Sequence, residues 1–302
     1  MSTDAVLREL LVRQLDHWLP GALHRSRRAT LALAYAGSDP AGAAAALRVV
    51  AEFADRLRGR RLTVLVLAPD GTELPTRLGA VEATLPADVA VHVVPGHPDR
   101  LPVALKAAGA AGAPLLTVVD GGDPDPALLA AAASGRPAEL LLVTEPGRAL
   151  RPLLTTAGFP LATEVELVPA TDTPARLLGY ATGSDRALEA LKDALWDLDE
   201  YAGVRYRDPA DPAGRPVDIS LDPEPGPLRR ELLAELARSG PRTVTELRRF
   251  AVTSTIYRAA DANRALVTLL AAGAVTREPE HGRLGGDVMI TADPGGTAEP
   301  TA

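Results

Sequence analysis

Three short stretches put polar residues where an α/β protein usually keeps its chemistry. The first is AYAGSDPAG, residues 34–42, a small-residue loop between an aliphatic run and an Ala-rich segment. Gly37, Ser38 and Asp39 stand where free N–H groups and a helix dipole favour polar or anionic ligand atoms. The loop reads equally as a tight strand-to-helix turn whose glycine permits positive φ, and neither GxGxxG nor GxxxxGK[ST] occurs in it. The second is VVDGGDPDP, residues 118–126. Asp120, at a strand end beside two glycines, is placed to hold a substrate hydroxyl or amine, and Asp123 and Asp125 would add acceptors for a hard cation such as Mg²⁺. The plainer alternative is a loop whose Asp125 caps the next helix. The third is Asp70 in LAPDGTE, where dinucleotide and adenosyl folds place an acid for ribose hydroxyls, although Asp-Gly is also a turn dipeptide.

A fourth set lies towards the C-terminus, in TIYRAADANRALVTLLAAG. Leu266, Leu269 and Leu270 mark a core side, and Thr255, Tyr257, Arg258, Asp261 and Arg264 are candidates for the exposed face of a recognition helix over 255–272. Such residues at a helix start contact phosphates and base edges, and Arg283 in HGRLGG sits at a wing tip. Protein contact or dimerisation is the other common use of such a surface. Residues 227–290 carry ten Arg against seven acids, whereas residues 1–226 carry 22 basic side chains against 30 acids. That asymmetry points to nucleic acid at the C-terminal end, against a formal net charge of −7 for the whole chain. Only Lys106 and Lys192 are lysines, so the abundance of Arg reflects composition and no single arginine is informative by type alone.

The elements that must hold these residues follow from hydrophobic patterning. The apolar spacing of Val6, Leu7, Leu10, Leu11, Leu15, Trp18 and Leu19 predicts a helix over residues 5–24. Seven aliphatic runs follow: 30–36, 62–68, 89–94, 115–120, 139–145, 164–169 and 176–182. Helical stretches at 41–58, 74–83, 99–109, 125–133 and 184–198 alternate with them, which predicts a Rossmann-type, mostly parallel sheet of seven strands covered on both faces. Asp39-Pro40 and Asp125-Pro126 each put an acceptor at an N-cap and proline at the first helical position. Residues 1–201 would form this domain. The Pro-rich stretch 202–226 reads as a linker. Residues 227–293 hold three helices and a glycine-turned hairpin, with a Thr243/Glu246 capping box, which predicts a winged helix-turn-helix. Residues 294–302 read as a disordered tail.

Composition excludes several classes. A chain of 302 residues accommodates about two domains, and 46% hydrophobic with 24% charged residues describes a globular protein. With no cysteine, disulfides, thiolate metal sites and a Cys nucleophile are excluded, and the five histidines show no ligand spacing, so no metal is expected. No run is long enough for a membrane span and the N-terminus has no secretory pattern, so a cytoplasmic protein without membrane contact is expected.

In this order the pieces resemble the bacterial three-Cys-motif partner (TcmP) family. The likeness is carried by Trp18-Leu19-Pro20 ahead of strand one, YAGSDP, VVDGGDP, GYATGSDRALEALKDALWDLD (179–199) and TIYRAADANRALVTLLAAGAV. The resemblance implies a class I methyltransferase-like sheet with the strand-one loop as an S-adenosylmethionine motif: Gly37, Ser38, Asp39 and Asp70 would bind cofactor and Asp120 would orient the acceptor. It also implies a three-Cys-motif protein as partner; DNA and a second copy of the chain are the other partners weighed. Departures from the pattern suggest erosion. The acids expected to end strands one and two fall at Leu33 and Ala68, a loop glycine falls at Asp39, and Gly121 replaces a proline. The expectation is therefore a degenerate methyltransferase domain without cofactor, joined to a winged helix that binds DNA or protein. The alternative is an active S-adenosylmethionine-dependent methyltransferase acting on nucleic acid or protein.

Overall fold

Aliphatic runs flanked by helices have nowhere to bury both faces except the middle of a layered sheet, and the chain folds accordingly. A computed structural model describes residues 2–37, 41–69, 74–169, 174–202, 204–211, 214, 216–217 and 226–293, and the chain divides into two units, Met1–Val217 and Asp218–Ala302.

The first unit opens with α1 (Thr3–Arg25), then alternates β1 (Arg28–Tyr35), α2 (Ala41–Glu52), α3 (Ala54–Leu57), β2 (Arg61–Ala68), α4 (Leu74–Glu82), β3 (Val89–Pro95) and α5 (Leu101–Ala107). It continues with β4 (Leu115–Asp120), α6 (Pro126–Ala132), β5 (Ala138–Thr144), α7 (Arg151–Thr156), β6 (Leu161–Pro169), β7 (Arg176–Thr182), α8 (Asp185–Ala202), β8 (Val204–Arg207) and β9 (Pro216–Val217). The strand order is β3-β2-β1-β4-β5-β7-β6-β8-β9. Strands β1 to β5 run parallel to one another, and β7 runs antiparallel between β5 and β6. The predicted α/β sheet is thus present, with two differences. Among the described residues it has nine strands rather than seven, because β8 and β9 lie within the stretch read as linker. VRYR is too short and too charged to stand out by periodicity, but Tyr206 is fully buried and its hydroxyl donates to the Leu195 carbonyl of α8 at 2.7 Å. The short helix α7, with Pro152 in its first turn, was not anticipated either.

Helix α1 lies on the sheet, burying Val6, Leu10, Leu15 and Leu19. One polar side chain is buried with them. Gln14 Nε2 donates to Glu139 Oε2 at 2.8 Å and to the Tyr180 hydroxyl at 2.7 Å, and that hydroxyl donates to Glu139 Oε2 at 2.6 Å. Burial pushes the Glu139 carboxyl above its ordinary value against the pull of these bonds. The triad ties α1 to β5 and β7.

The second unit consists of α9 (Gly226–Ser239), β10 (Arg242–Thr243), α10 (Val244–Ser254), α11 (Ala259–Ala271), β11 (Val275–Glu278) and β12 (Met289–Ala292), with an antiparallel sheet in the order β10-β12-β11. The Thr243 hydroxyl accepts the Glu246 N–H, and Glu246 accepts the Thr243 N–H, so the capping box forms as read. Leu228, Leu232, Leu247, Leu266 and Ile290 meet in its core. Its third helix begins at Ala259, not at residue 255. The Thr255 hydroxyl donates to the Ala251 carbonyl at 2.7 Å and accepts the Tyr257 N–H at 3.0 Å, which closes α10 and turns the chain.

Candidate functional site

The strand order reverses between β1 and β4, and a crevice beyond the carboxyl ends of those strands is the expected ligand position in such a sheet. A cavity of about 1000 Å³ lies there. Its floor comes from the loops that follow β1, β4 and β5, one wall from the first turns of α1, and another from Pro174, Ala175 and Arg176 at the start of β7. Of the candidate residues, Gly37 and Asp120 line this cavity. Ser38, Asp39 and Asp70 lie outside the described residues.

Close packing of two loops shapes the floor. The Ala36 N–H donates to the Asp120 carbonyl at 2.8 Å, so the β1 loop continues the ladder one residue past the strand. Gly121 follows with φ of +82°, and a Cβ there would lie 2.9 Å from the Ala36 Cβ. Only glycine meets both conditions. Beneath the loop Tyr35, the last residue of β1, is buried, and its hydroxyl would lie 2.8 Å from a Cβ on Gly42. The ring thus takes the space beside the first turn of α2.

Asp120 is half-buried and does not face the cavity alone. The Arg176 guanidinium donates to its Oδ1, while the buried Nε of Arg176 has no hydrogen-bond partner among the described residues. Burial raises the Asp120 carboxyl above its usual range; Arg176 opposes that rise and the charge of Asp4 adds to it. At the mouth, Arg148 and Asp123 form a loose, exposed pair at 3.9 Å. Leu33 and Ala68, where the resemblance implies acids, are both buried. Asp125 accepts the Leu128 N–H at 2.9 Å, so the capping reading of that residue holds. Among the described residues no group of three His, Asp or Glu side chains gathers as a metal shell.

Sequence reasoning missed Tyr35, Arg148 and Arg176. Arg176 opens an ordinary β-run, and nothing in one sequence says that the strand starts opposite Asp120.

In the second unit the structure corrects the predicted interface. Thr255 and Tyr257 are buried in the turn before α11 and are not on an exposed face. Arg258 clasps the buried Asp261 with Nε to Oδ2 and Nη2 to Oδ1, each at 3.1 Å, and Arg264 donates to the same carboxylate at 2.5 Å. Asp261 is a core anchor, not a surface acid. Arg283 is exposed in the loop between β11 and β12, and Arg277 holds that loop through the carbonyls of Pro279, Gly282 and Arg283. No helix among the described residues is long and apolar enough to cross a membrane.

No family model matches the sequence, and no curated protein matches it. Solved structures show a remote likeness. Phosphoethanolamine N-methyltransferase 1 of Haemonchus contortus, in complex with phosphoethanolamine and S-adenosylhomocysteine, is 15% identical with a TM-score of 0.35, over 56% of this chain and 40% of that one. Spermidine synthase of Thermotoga maritima is 11% identical with a TM-score of 0.36, over 57% of this chain and 59% of that one. Sp1610 of Streptococcus pneumoniae, whose proposed activity is tRNA (m1A22) methylation, is 15% identical with a TM-score of 0.31, over 82% and 97%. The chain therefore spans about half the length of the first two. The fold itself rests on topology: the order 3-2-1-4-5-7-6 with strand seven antiparallel is that of class I methyltransferases.

Proposed function

We propose that the first unit is a degenerate methyltransferase domain and that the second is a winged helix that docks on a macromolecule, protein in preference to duplex DNA. The observation that carries the first half is the Asp120–Arg176 pair. In this reading the carboxylate at the end of β4 is neutralised by the protein's own guanidinium instead of facing an acceptor, and the missing acids of β1 and β2 are replaced by buried Leu33 and Ala68. The second half is supported by the outward side of α11. It offers Ala260, an exposed Val267, and Arg264, which is already paired with Asp261. That is a poor footprint for phosphates. A three-Cys-motif protein is the partner the family resemblance names.

Calorimetry with S-adenosylmethionine and S-adenosylhomocysteine tests the first half. The expected result is no heat at millimolar ligand, and micromolar binding would overturn it. The second reading, an active S-adenosylmethionine-dependent methyltransferase, is favoured by the cavity persisting at the switch point, with a donor of Arg176 still open. Binding that is lost in Gly37→Val would establish that reading. For the second half, retention on heparin that disappears by physiological salt supports the protein-docking role, and nanomolar duplex binding at that salt refutes it.

A further inference from the structure

The two edges of the large sheet are built differently. β9 is two residues long and starts with proline, which are common ways to keep an edge from pairing. β3 is seven residues long, and its one proline, Pro95, stands at its last position. It runs Val-Ala-Val-His-Val-Val-Pro, pairs among the described residues with β2 alone, and carries no Lys, Arg, Asp or Glu over its length. Six of its residues are not aromatic or polar, and five of those are only partly buried. An apolar edge without charged side chains can template another strand.

The hydrogen bonds at its ends fix which groups point outwards. Leu62 N–H donates to the Asp88 carbonyl and Gly96 N–H to the Ala68 carbonyl, so the even-numbered residues face β2. By alternation, Val91 and Val93 turn both N–H and C=O away from the sheet. Val89 N–H is already used by the Pro86 carbonyl, and Pro95 has no N–H. The open register is therefore short and has His92 at its centre.

We propose that β3 pairs antiparallel with β3 of a second copy of this chain about a two-fold axis at His92, giving a sheet continuous across a homodimer. In that register Val91 of one copy opposes Val93 of the other and the two exchange their outward groups, while His92 faces His92 as a non-hydrogen-bonded pair. The charges agree with this register. Asp88 falls opposite Gly96 of the second copy, and the Arg100 side chain lies along Gly96, with its Cδ 2.5 Å from where a Cβ would stand. Asp88 of each copy thus meets Arg100 of the other, and neither forms an ion pair with another side chain of its own unit among the contacts described. Any other antiparallel register loses one of these two matches.

The chain has no cysteine, so the test is clean. Sedimentation of the full chain at tens of micromolar should give twice 31.5 kDa. His92→Cys, at an exposed position, should form a disulfide-linked dimer under mild oxidation, since facing non-hydrogen-bonded residues lie within disulfide reach. Asp88→Arg should weaken the dimer about tenfold or more, and Asp88→Arg with Arg100→Asp should restore it. A monomer at every concentration overturns the proposal. So does a dimer in which His92→Cys fails to cross-link, because that dimer uses another surface.

Discussion

Asp120 ends β4 and Arg176 begins β7, and the two meet across the cavity mouth although 56 residues separate them. Both are about one-third exposed or less, at 34% and 26% of their side-chain surface, so the pair is only partly screened. The Asp120 carboxyl lies above its ordinary value because burial outweighs Arg176. A carboxyl raised by folding contributes stability in acid that is lost as pH rises through its folded-state pKa. Removing Arg176 raises that pKa further and deepens the loss. Arg176→Ala should therefore cost about 0.5–1 kcal/mol at neutral pH and nearly nothing in acid, where Asp120 is protonated. Urea unfolding of both proteins at the two pH values measures this; an equal cost at both would assign Arg176 a packing role.

Gly121 and Gly122 share a φ of +82° but not their surroundings. A Cβ on Gly121 meets Ala36 at 2.9 Å, whereas one on Gly122 finds nothing nearer than Pro98 at 3.7 Å. Left-handed backbone costs an alanine about 1–2 kcal/mol at either position. Gly121→Ala adds a backbone-supported clash and should cost at least about 1 kcal/mol more than Gly122→Ala. Denaturant midpoints of the two variants give the comparison directly, and equal midpoints would mean that the β1 loop yields freely.

The seven strands of the predicted sheet were legible because they rest on hydrophobic patterning. Runs such as LTVLVLA and LLLV are short, β-branched or aliphatic and flanked by helical stretches, which makes them buried strands of a parallel sheet with its crevice at their carboxyl ends. What stayed hidden depends on contacts between distant residues. Asp261 reads as a surface acid on a basic helix because sequence does not show that two arginines fold back on it. Thr255 and Tyr257 read as exposed because a helix starting at residue 255 would carry them on its surface, whereas the chain there forms the turn that closes α10. VRYR in β8 carries too few residues for its alternation to register.

Asp261 therefore has two measurable jobs. It accepts the Arg258 N–H at 2.9 Å at the start of α11, and it pairs with the guanidinium groups of both Arg258 and Arg264. Asp261→Ala should cost about 2 kcal/mol and raise hydrogen exchange in the first turn of α11. Asp261→Asn keeps an acceptor and loses the charge, so it should cost less while strengthening retention on heparin, because one negative charge beside two arginines is gone. Unchanged retention in Asp261→Asn would show that neither arginine reaches a polyanion.

Lys192 on α8 is fully buried, and its amine is lowered to about 7 by that burial, with Asp208 pulling the other way. The unfolded chain holds this proton up to about 10.4, so between the two values the unfolded state binds more protons than the folded one. Stability carried by Lys192 is thus present at high pH and lost as pH falls towards 7. The wild-type protein should gain up to about 1.4 kcal/mol per pH unit from this group over that window. Lys192→Met, which keeps the aliphatic stem buried and carries no charge, should flatten the slope and be the more stable protein at pH near 7. Urea unfolding at three pH values from neutral upwards measures both slopes. Parallel slopes would mean that the amine stays charged in the folded protein, held by Asp208 at the end of β8.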